Sequence, residues 1–369
     1  MTHARANDSR LHVTVVGQLP PPIGGFSYIS DCVVKELQKT HQVCVYNIAP
    51  TQGKVGFSKH LSRMSKSIAA CVGLIKARRF GLKICYHPCE GGLGLVYTVA
   101  VAWVARLCGH RVILHHHSFQ YVDRWKPLMR LVLWLSDDSL HVFLCSIMRD
   151  SFERQYRQIT NSIVVSNAAF VPLVAGLPPR DSTKLVMGHL SNLSREKGLY
   201  RFIDLLRLAS GRGLPVRAIL AGPVSSQADQ IAIEHAVAEF QGALEYRGAI
   251  YGAEKNAFYN EIDVFVFPTQ YVNEAQPTVI FEAIASGCSI VSYDRGCIRG
   301  QVREGHGLII DRDKPFVESA LDWVAARANN LESVRGLSTI IEKDFASRRS
   351  EALAIVDEMV DYSIGRQDN

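Results

Sequence analysis

The segment TQYVNEAQPTVIFEAIASGCSIV, residues 269–291, places Glu274 and Glu282 with seven residues between them around a strand-to-helix junction. Pro277 suits a first helical turn, where its missing N–H costs nothing, and Ala283, Ala285, Ser286 and Gly287 let the helix approach a sheet closely. The backbone around Gln276, Pro277, Thr278 and Val279 then forms a helix N-terminus whose free amides suit an anion such as pyrophosphate. A second anion reader is SNLSREKG, residues 191–198, in which Lys197 precedes a helical stretch. A cation beside the positive end of a helix dipole is locally unfavourable unless an anion visits it. In PPPIGG, residues 20–25, Gly24 and Gly25 permit positive φ and a close backbone approach to a ligand. Only Gly17 lies upstream, so the GxGxxG order of a dinucleotide site is missing and a nicotinamide cofactor is disfavoured.

Two further clusters invite a metal reading. VILHHHSF carries His115, His116 and His117, and strand alternation puts His115 and His117 on one face and His116 on the other. No cysteine or acidic partner is near them in sequence. Asp311 and Asp313 form a D-x-D pair after the last strand-like run, where a surface loop is expected. No metal site is therefore expected.

These residues hang on a repeating pattern. Apolar runs at 11–17, 43–48, 82–87, 111–117 and 141–146 alternate with helical stretches at 26–39, 59–79, 94–108, 125–136 and 147–157. Such alternation implies right-handed βαβ crossovers in a parallel sheet. After a Pro-rich stretch at 170–180 the pattern restarts near Thr183, with runs at 185–190, 216–222, 244–248, 264–268, 288–293 and 307–310. A final amphipathic segment, about Asp344 to Tyr362, has no strand to cover. Its residues Ala352, Ile355, Val356 and Met359 recur at helical spacing, which leaves Arg348, Arg349 and Glu351 among the wet positions.

Length and composition agree with this organisation. A chain of 369 residues, 47% hydrophobic and 21% charged, can bury a large core and is too long for one ordinary domain. Nine cysteines without a CxxC pair read as buried free thiols, and an odd count behind a polar N-terminal run points to a reducing cytoplasm. The uncharged apolar stretch Gly91 to Ala105 is shorter than the roughly 20 residues of a membrane span and reads as a buried helix. Residues 1–170 hold 20 Lys and Arg against 9 Asp and Glu, net +11, whereas residues 171–369 hold 21 against 26, net −5. In the basic half Lys59, Arg63, Lys66 and Lys76 interleave with apolar residues, and Trp125 and Trp134 follow, a pattern that an anionic membrane surface attracts. No nucleic-acid motif is present.

Taken in order, PPPIGG, the His-rich strand end, SNLSREKG and the E-x7-E segment resemble the family 4 retaining glycosyltransferases, across nearly the whole chain. The resemblance implies an α/β GT-B fold: two Rossmann-like doubly wound parallel-sheet domains facing across a cleft, with a C-terminal helix crossing back to the first. Residues 1–172 would be the acceptor domain, 173–343 the nucleotide-sugar domain and 344–369 the returning helix. The implied reaction moves a sugar from a nucleoside diphosphate donor to a hydroxyl of a glycan or lipid-linked oligosaccharide, with no cofactor and no metal, in surface polysaccharide synthesis.

In that family the first glutamate contacts the donor sugar and the second the ribose, so Glu274 and Glu282 take those roles by resemblance. Lys197 aligns with the lysine of the diphosphate clamp. Asn192 stands where the family has an arginine, and Arg195 is the nearby source of charge. His117 best matches the histidine that touches the donor sugar, with His115 and His116 as alternatives, and Gly24 and Gly25 line the donor phosphate or acceptor. Ala275, Gln276 and Pro277 replace a glycine-rich run, a departure that bears on the donor sugar. The protein is expected in the cytoplasm, peripheral at the inner face of the cell membrane. A GT-B sugar-nucleotide epimerase and a catalytically silent sugar-nucleotide-binding module are the competing readings.

Overall fold

A computed structural model describes residues 11–21, 24–51, 56–174, 180 and 182–365. The polar N-terminal run, Pro22 and Ile23 of PPPIGG, much of the Pro-rich stretch and the last four residues lie outside them. The chain divides into two compact units, one formed by residues up to Ser166 together with those from Ala352 onward, the other by Asn167–Glu351.

The first unit holds β1 (His12–Gly17), β2 (Gln42–Asn47), β3 (Lys83–Cys89), β4 (Arg111–His116), β5 (Leu140–Phe143) and β6 (Ser162–Val164). They form one parallel sheet in the order β2-β1-β3-β4-β5-β6. The second holds β7 (Leu185–Leu190), β8 (Val216–Ala221), β9 (Leu244–Tyr246), β10 (Val264–Phe267), β11 (Ser289–Tyr293) and β12 (Gly307–Ile310). Its order is β12-β11-β10-β7-β8-β9, again all parallel. Valine- and isoleucine-rich strands buried on both faces are what a helix-covered parallel sheet requires. In β7 and β10, Leu185, Met187, Val264 and Val266 enter one core. Their neighbours Val186, Phe265 and Phe267 enter the opposite one, with Phe258, Ile280 and Phe281.

Several elements differ from the sequence expectations. Strand β6 differs from the expectation, because a three-residue strand is too short to carry a periodic signal. Seven cysteines are free thiols, but Cys145 and Cys297 are not, which corrects the expectation of free thiols throughout. The C-terminal helix spans Ser338–Ile364 and so begins before Asp344. Its first half puts Ile341 and Phe345 into the second unit's core. Its later residues Ala352, Val356 and Met359 are buried as their spacing requires. Arg348 is not a wet position, since its guanidinium donates to the carbonyls of Gln301 at 2.6 Å and Gly300 at 2.8 Å.

The helix Gly94–Leu107 is the largest correction. It buries Leu95, Thr98, Val101, Ala102 and Ala105 against the unit but leaves Val96, Trp103 and Leu107 exposed. A run without charges looks the same in sequence whether it is enclosed on all sides or on three, so its open side was not legible.

Candidate nucleotide-sugar site

In the second sheet the chain leaves β7 in one direction and β10 in the other, so the carboxyl ends of these adjacent strands open a topological switch point, the usual ligand crevice of a doubly wound sheet. The loops that follow them carry Lys197 and Glu274. Lys197 Nζ donates to Glu274 Oε2 at 2.6 Å, and Thr269 Oγ1 donates to the same oxygen at 3.1 Å. Glu274 is 7% exposed. The ammonium also sits 4.5 Å from the centroid of the Tyr271 ring. A buried ion pair is weak evidence for stability, because desolvation offsets its attraction, so its presence in a crevice calls for a functional reason.

The fold forces these loops together. Gly198 caps the helix Leu199–Gly211 with φ +99°, and a Cβ there would lie 2.5 Å from Pro268 Cγ and 2.7 Å from the Pro268 carbonyl oxygen. Gln270 N–H donates to Glu196 O at 2.8 Å. From below, Arg295, itself buried, donates through Nε to the Tyr271 carbonyl at 3.1 Å and through its second amino group to the Val272 carbonyl. Gly296, at φ +62°, would put a Cβ 2.4 Å from the Ala275 carbonyl oxygen and 2.6 Å from that of Glu274. Cys297 N–H completes the support with a 2.7 Å bond to Ala275 O.

The helix after Glu274 is Thr278–Ala285, with Pro277 at its N-cap rather than inside the first turn. Pro277 accepts from Gln301 Nε2 at 3.0 Å. Gln276 is held by Asn167, whose N–H reaches Gln276 Oε1 at 2.7 Å and whose Nδ2 reaches Gln276 O at 2.8 Å. Thr278 and Val279 open the helix, and their N–H groups have no acceptor within it. Glu282, one turn on, accepts from Lys255 Nζ at 2.7 Å and from Tyr259 OH at 2.9 Å. Asn192 is exposed, and Arg195 places its guanidinium 4.2 Å from the Tyr200 ring centroid.

Thr269, Tyr271, Arg295, Gly296, Lys255 and Tyr259 escaped the sequence reading. They act on the named residues through the fold, from positions without a spacing signal. Only the glycine after Arg295 was a visible sign of close approach.

In the first unit, strand alternation holds as expected. His115 and His117 share a face, with ring centroids 4.0 Å apart, while His116 turns to His141, Phe143 and Tyr121 on the other. Tyr86 OH and His115 Nδ1 are 2.7 Å apart, and His116 Nε2 and His141 Nδ1 share a 3.0 Å hydrogen bond. Burial pushes His117 and His141 down to about 3 and holds His115 and His116 well below the ordinary histidine range, so all four rings are neutral. The backbone N–H of Gly24 donates to Ser27 Oγ at 3.0 Å, ahead of the helix Gly25–Thr40. At the carboxyl ends of β1 and β3, Glu90 accepts from Gln18 Nε2 at 2.6 Å and pairs with Arg63. Among the described residues no three His, Cys, Asp or Glu side chains are grouped to hold a metal ion. Asp311 instead pairs with Arg299 at 2.7 Å and Lys314 at 3.2 Å.

Two six-stranded parallel sheets with flanking helices define the architecture, that of the GT-B glycosyltransferases. The structure is similar to Anabaena HepE in complex with UDP, at TM-score 0.71 and 15% identity, covering 96% of this chain and 100% of that one. It is also similar to sucrose-phosphate synthase from Thermosynechococcus elongatus, at TM-score 0.72 and 13% identity, covering 97% and 100%. The catalytic domain of starch synthase IV from Arabidopsis thaliana, bound to ADP and acarbose, matches at TM-score 0.63 and 14% identity, covering 95% and 100%. Residues 184–325 match the family model described as glycosyl transferases group 1, a stretch that contains Lys197, Glu274 and Glu282. No curated protein matches the chain by sequence.

Proposed function

We propose that the protein transfers a sugar from a nucleoside diphosphate donor to a hydroxyl of a glycan or lipid-linked oligosaccharide, with retention of anomeric configuration, in the synthesis of a surface polysaccharide. The observation that carries this reading is the Lys197–Glu274 pair at the β7/β10 switch point, beside the N-terminus of Thr278–Ala285. Cleavage of the sugar–phosphate bond puts negative charge on the departing diphosphate. Lys197 and the first-turn N–H groups of Thr278 and Val279 are fixed donors for that charge and need no rearrangement as it develops.

Glu274 is the partner of the donor sugar, and Thr269 and Lys197 hold its carboxylate in place. Glu282, oriented by Lys255 and Tyr259, is the partner of the ribose hydroxyls. The acceptor oxygen attacks on the face from which the diphosphate leaves. Its proton passes to the departing phosphate oxygen, so neither a covalent enzyme intermediate nor a metal is required. The GT-B likeness and the match over residues 184–325 support this assignment. UDP-, GDP- and ADP-sugars added one at a time test it by thermal shift, because a ligand that binds only the native state raises Tm. One nucleotide class should stabilise the protein, and an acceptor should then accelerate release of its diphosphate. Free epimerised donor formed without acceptor would favour an epimerase instead.

A further inference from the structure

Three helices, Gly56–Lys76, Gly94–Leu107 and Pro127–Leu135, lead from β2 to β3, β3 to β4 and β4 to β5 and pack side by side. The first of them is inverted for a helix that covers a sheet. It turns Ser62, Ser67, Ala70 and Leu74 inward and shows Leu61, Met64, Ile68, Val72 and Ile75 to the outside, each 44–58% exposed. These five recur at intervals of three and four residues and so form one narrow stripe. The second helix repeats the arrangement with Val96, Trp103 and Leu107, continuing Leu93 at its N-cap, and the third adds Leu131 and Trp134, the last 73% exposed. Isolated exposed apolar residues are ordinary, but aligned stripes on adjacent helices make a surface that needs a partner.

The charge on this surface selects the partner. None of the three helices contains an Asp or Glu, and their exposed cations are Lys59, Lys76, Arg106 and Arg130, while Arg63 is half-buried against Glu90 and Lys66 donates to the Ala49 carbonyl. A second copy docking by the same face would set this cationic array against itself. An anionic lipid surface answers both features, with headgroups for the cations, the acyl boundary for the stripes and the headgroup level for Trp103 and Trp134. No helix among the described residues is long and apolar enough to cross a membrane.

We propose that these three helices form a membrane-docking facet that lies in the plane of an anionic bilayer and inserts the Ile68 and Trp103 stripes into its boundary. The inference deepens the proposed function, since it supplies the surface on which a lipid-linked acceptor resides. Its test involves no sugar, so either reading can fail alone. The full chain is sedimented with phosphatidylcholine vesicles with and without phosphatidylglycerol, and tryptophan emission is recorded. Partition into the anionic vesicles, a blue shift and release by salt are expected. Ile68→Glu and Trp103→Glu should each weaken partition about tenfold at unchanged Tm. Should either lower Tm, the exposed charge reversal Lys76→Glu replaces it and should weaken binding to anionic vesicles specifically. Failure of the wild type to bind anionic vesicles at low salt, or equal binding by the variants, would overturn the proposal. So would a concentration-dependent dimer abolished by Ile68→Glu in a chain that ignores vesicles.

Discussion

Lys197 Nζ and Glu274 Oε2, 77 residues apart in sequence, meet at 2.6 Å at the carboxyl ends of two adjacent strands. The pair is mostly shielded from water, so each charge has the other as its compensation. Removing Lys197 should weaken binding of the nucleoside diphosphate by about 1.5–3 kcal/mol, the range for a charge-assisted contact. Titration calorimetry on Lys197→Ala, Glu274→Ala and the double variant measures this. Unchanged affinity in Lys197→Ala would remove that residue from the phosphate site.

Glu282 should act on the ribose and not on the diphosphate. Glu282→Ala is therefore expected to weaken nucleoside diphosphate binding while leaving inorganic pyrophosphate binding unchanged, whereas Lys197→Ala should weaken both. Tyr259→Phe, which takes one hydrogen bond from Glu282, should show a milder form of the same selectivity, about 0.5–1.5 kcal/mol. Equal losses for pyrophosphate would place Glu282 on the phosphates.

Gly198→Ala should cost roughly 1–3 kcal/mol or more, because φ +99° strains any side chain and the new methyl would strike Pro268. Gly213, at φ +69° with nothing within 4 Å of a Cβ, serves as the control for backbone strain alone. The Gly198 variant should lose more stability than Gly213→Ala and lose donor binding too, since Lys197 is its neighbour. Equal denaturant midpoints would show that the contact with Pro268 yields easily.

How much of this was legible beforehand depended on the kind of signal. Runs such as LVMGHL and VFVFP announce buried parallel strands. Arg295 had no such signature, because its work is to hold the carbonyls of Tyr271 and Val272, a role that any arginine in any loop could have. Pro277 was displaced by one position from its expected place, since a proline fits both the N-cap and the first turn. The helix Gly94–Leu107 was misread for a different reason: hydropathy reports what a side chain prefers, and the packing around it decides whether that preference is met.

Acid should destabilise the first unit. The rings of His117 and His141 stay neutral down to about pH 3, and His115 and His116 are held down in the same direction. The unfolded chain takes up those protons near 6.5. Between those values only the unfolded state gains protons, so stability is full above about 6.5 and falls as pH drops, by up to ~1.4 kcal/mol per pH unit per histidine. Tm measured from pH 7 to 5 should decline accordingly, and His141→Gln should flatten the decline. A Tm independent of pH over this range would contradict the buried neutral assignment.

Activity should survive EDTA, because in the proposed reaction Lys197 and backbone amides would meet the charge of the leaving group. Loss on chelation with recovery on added manganese would bring Asp311, Asp313 or the His115–His117 cluster into the reaction.

Glu274 is proposed to engage the sugar of a bound nucleotide donor. The most direct measurement follows a labelled sugar on its nucleoside diphosphate through binding and turnover by the wild type and by Glu274→Ala. The wild type should release the diphosphate and pass the label to acceptor. Glu274→Ala should bind the nucleotide within a few fold of wild type and pass on almost none. Near-native transfer by Glu274→Ala, or a wild-type protein that neither binds nor consumes any nucleotide sugar, would contradict it.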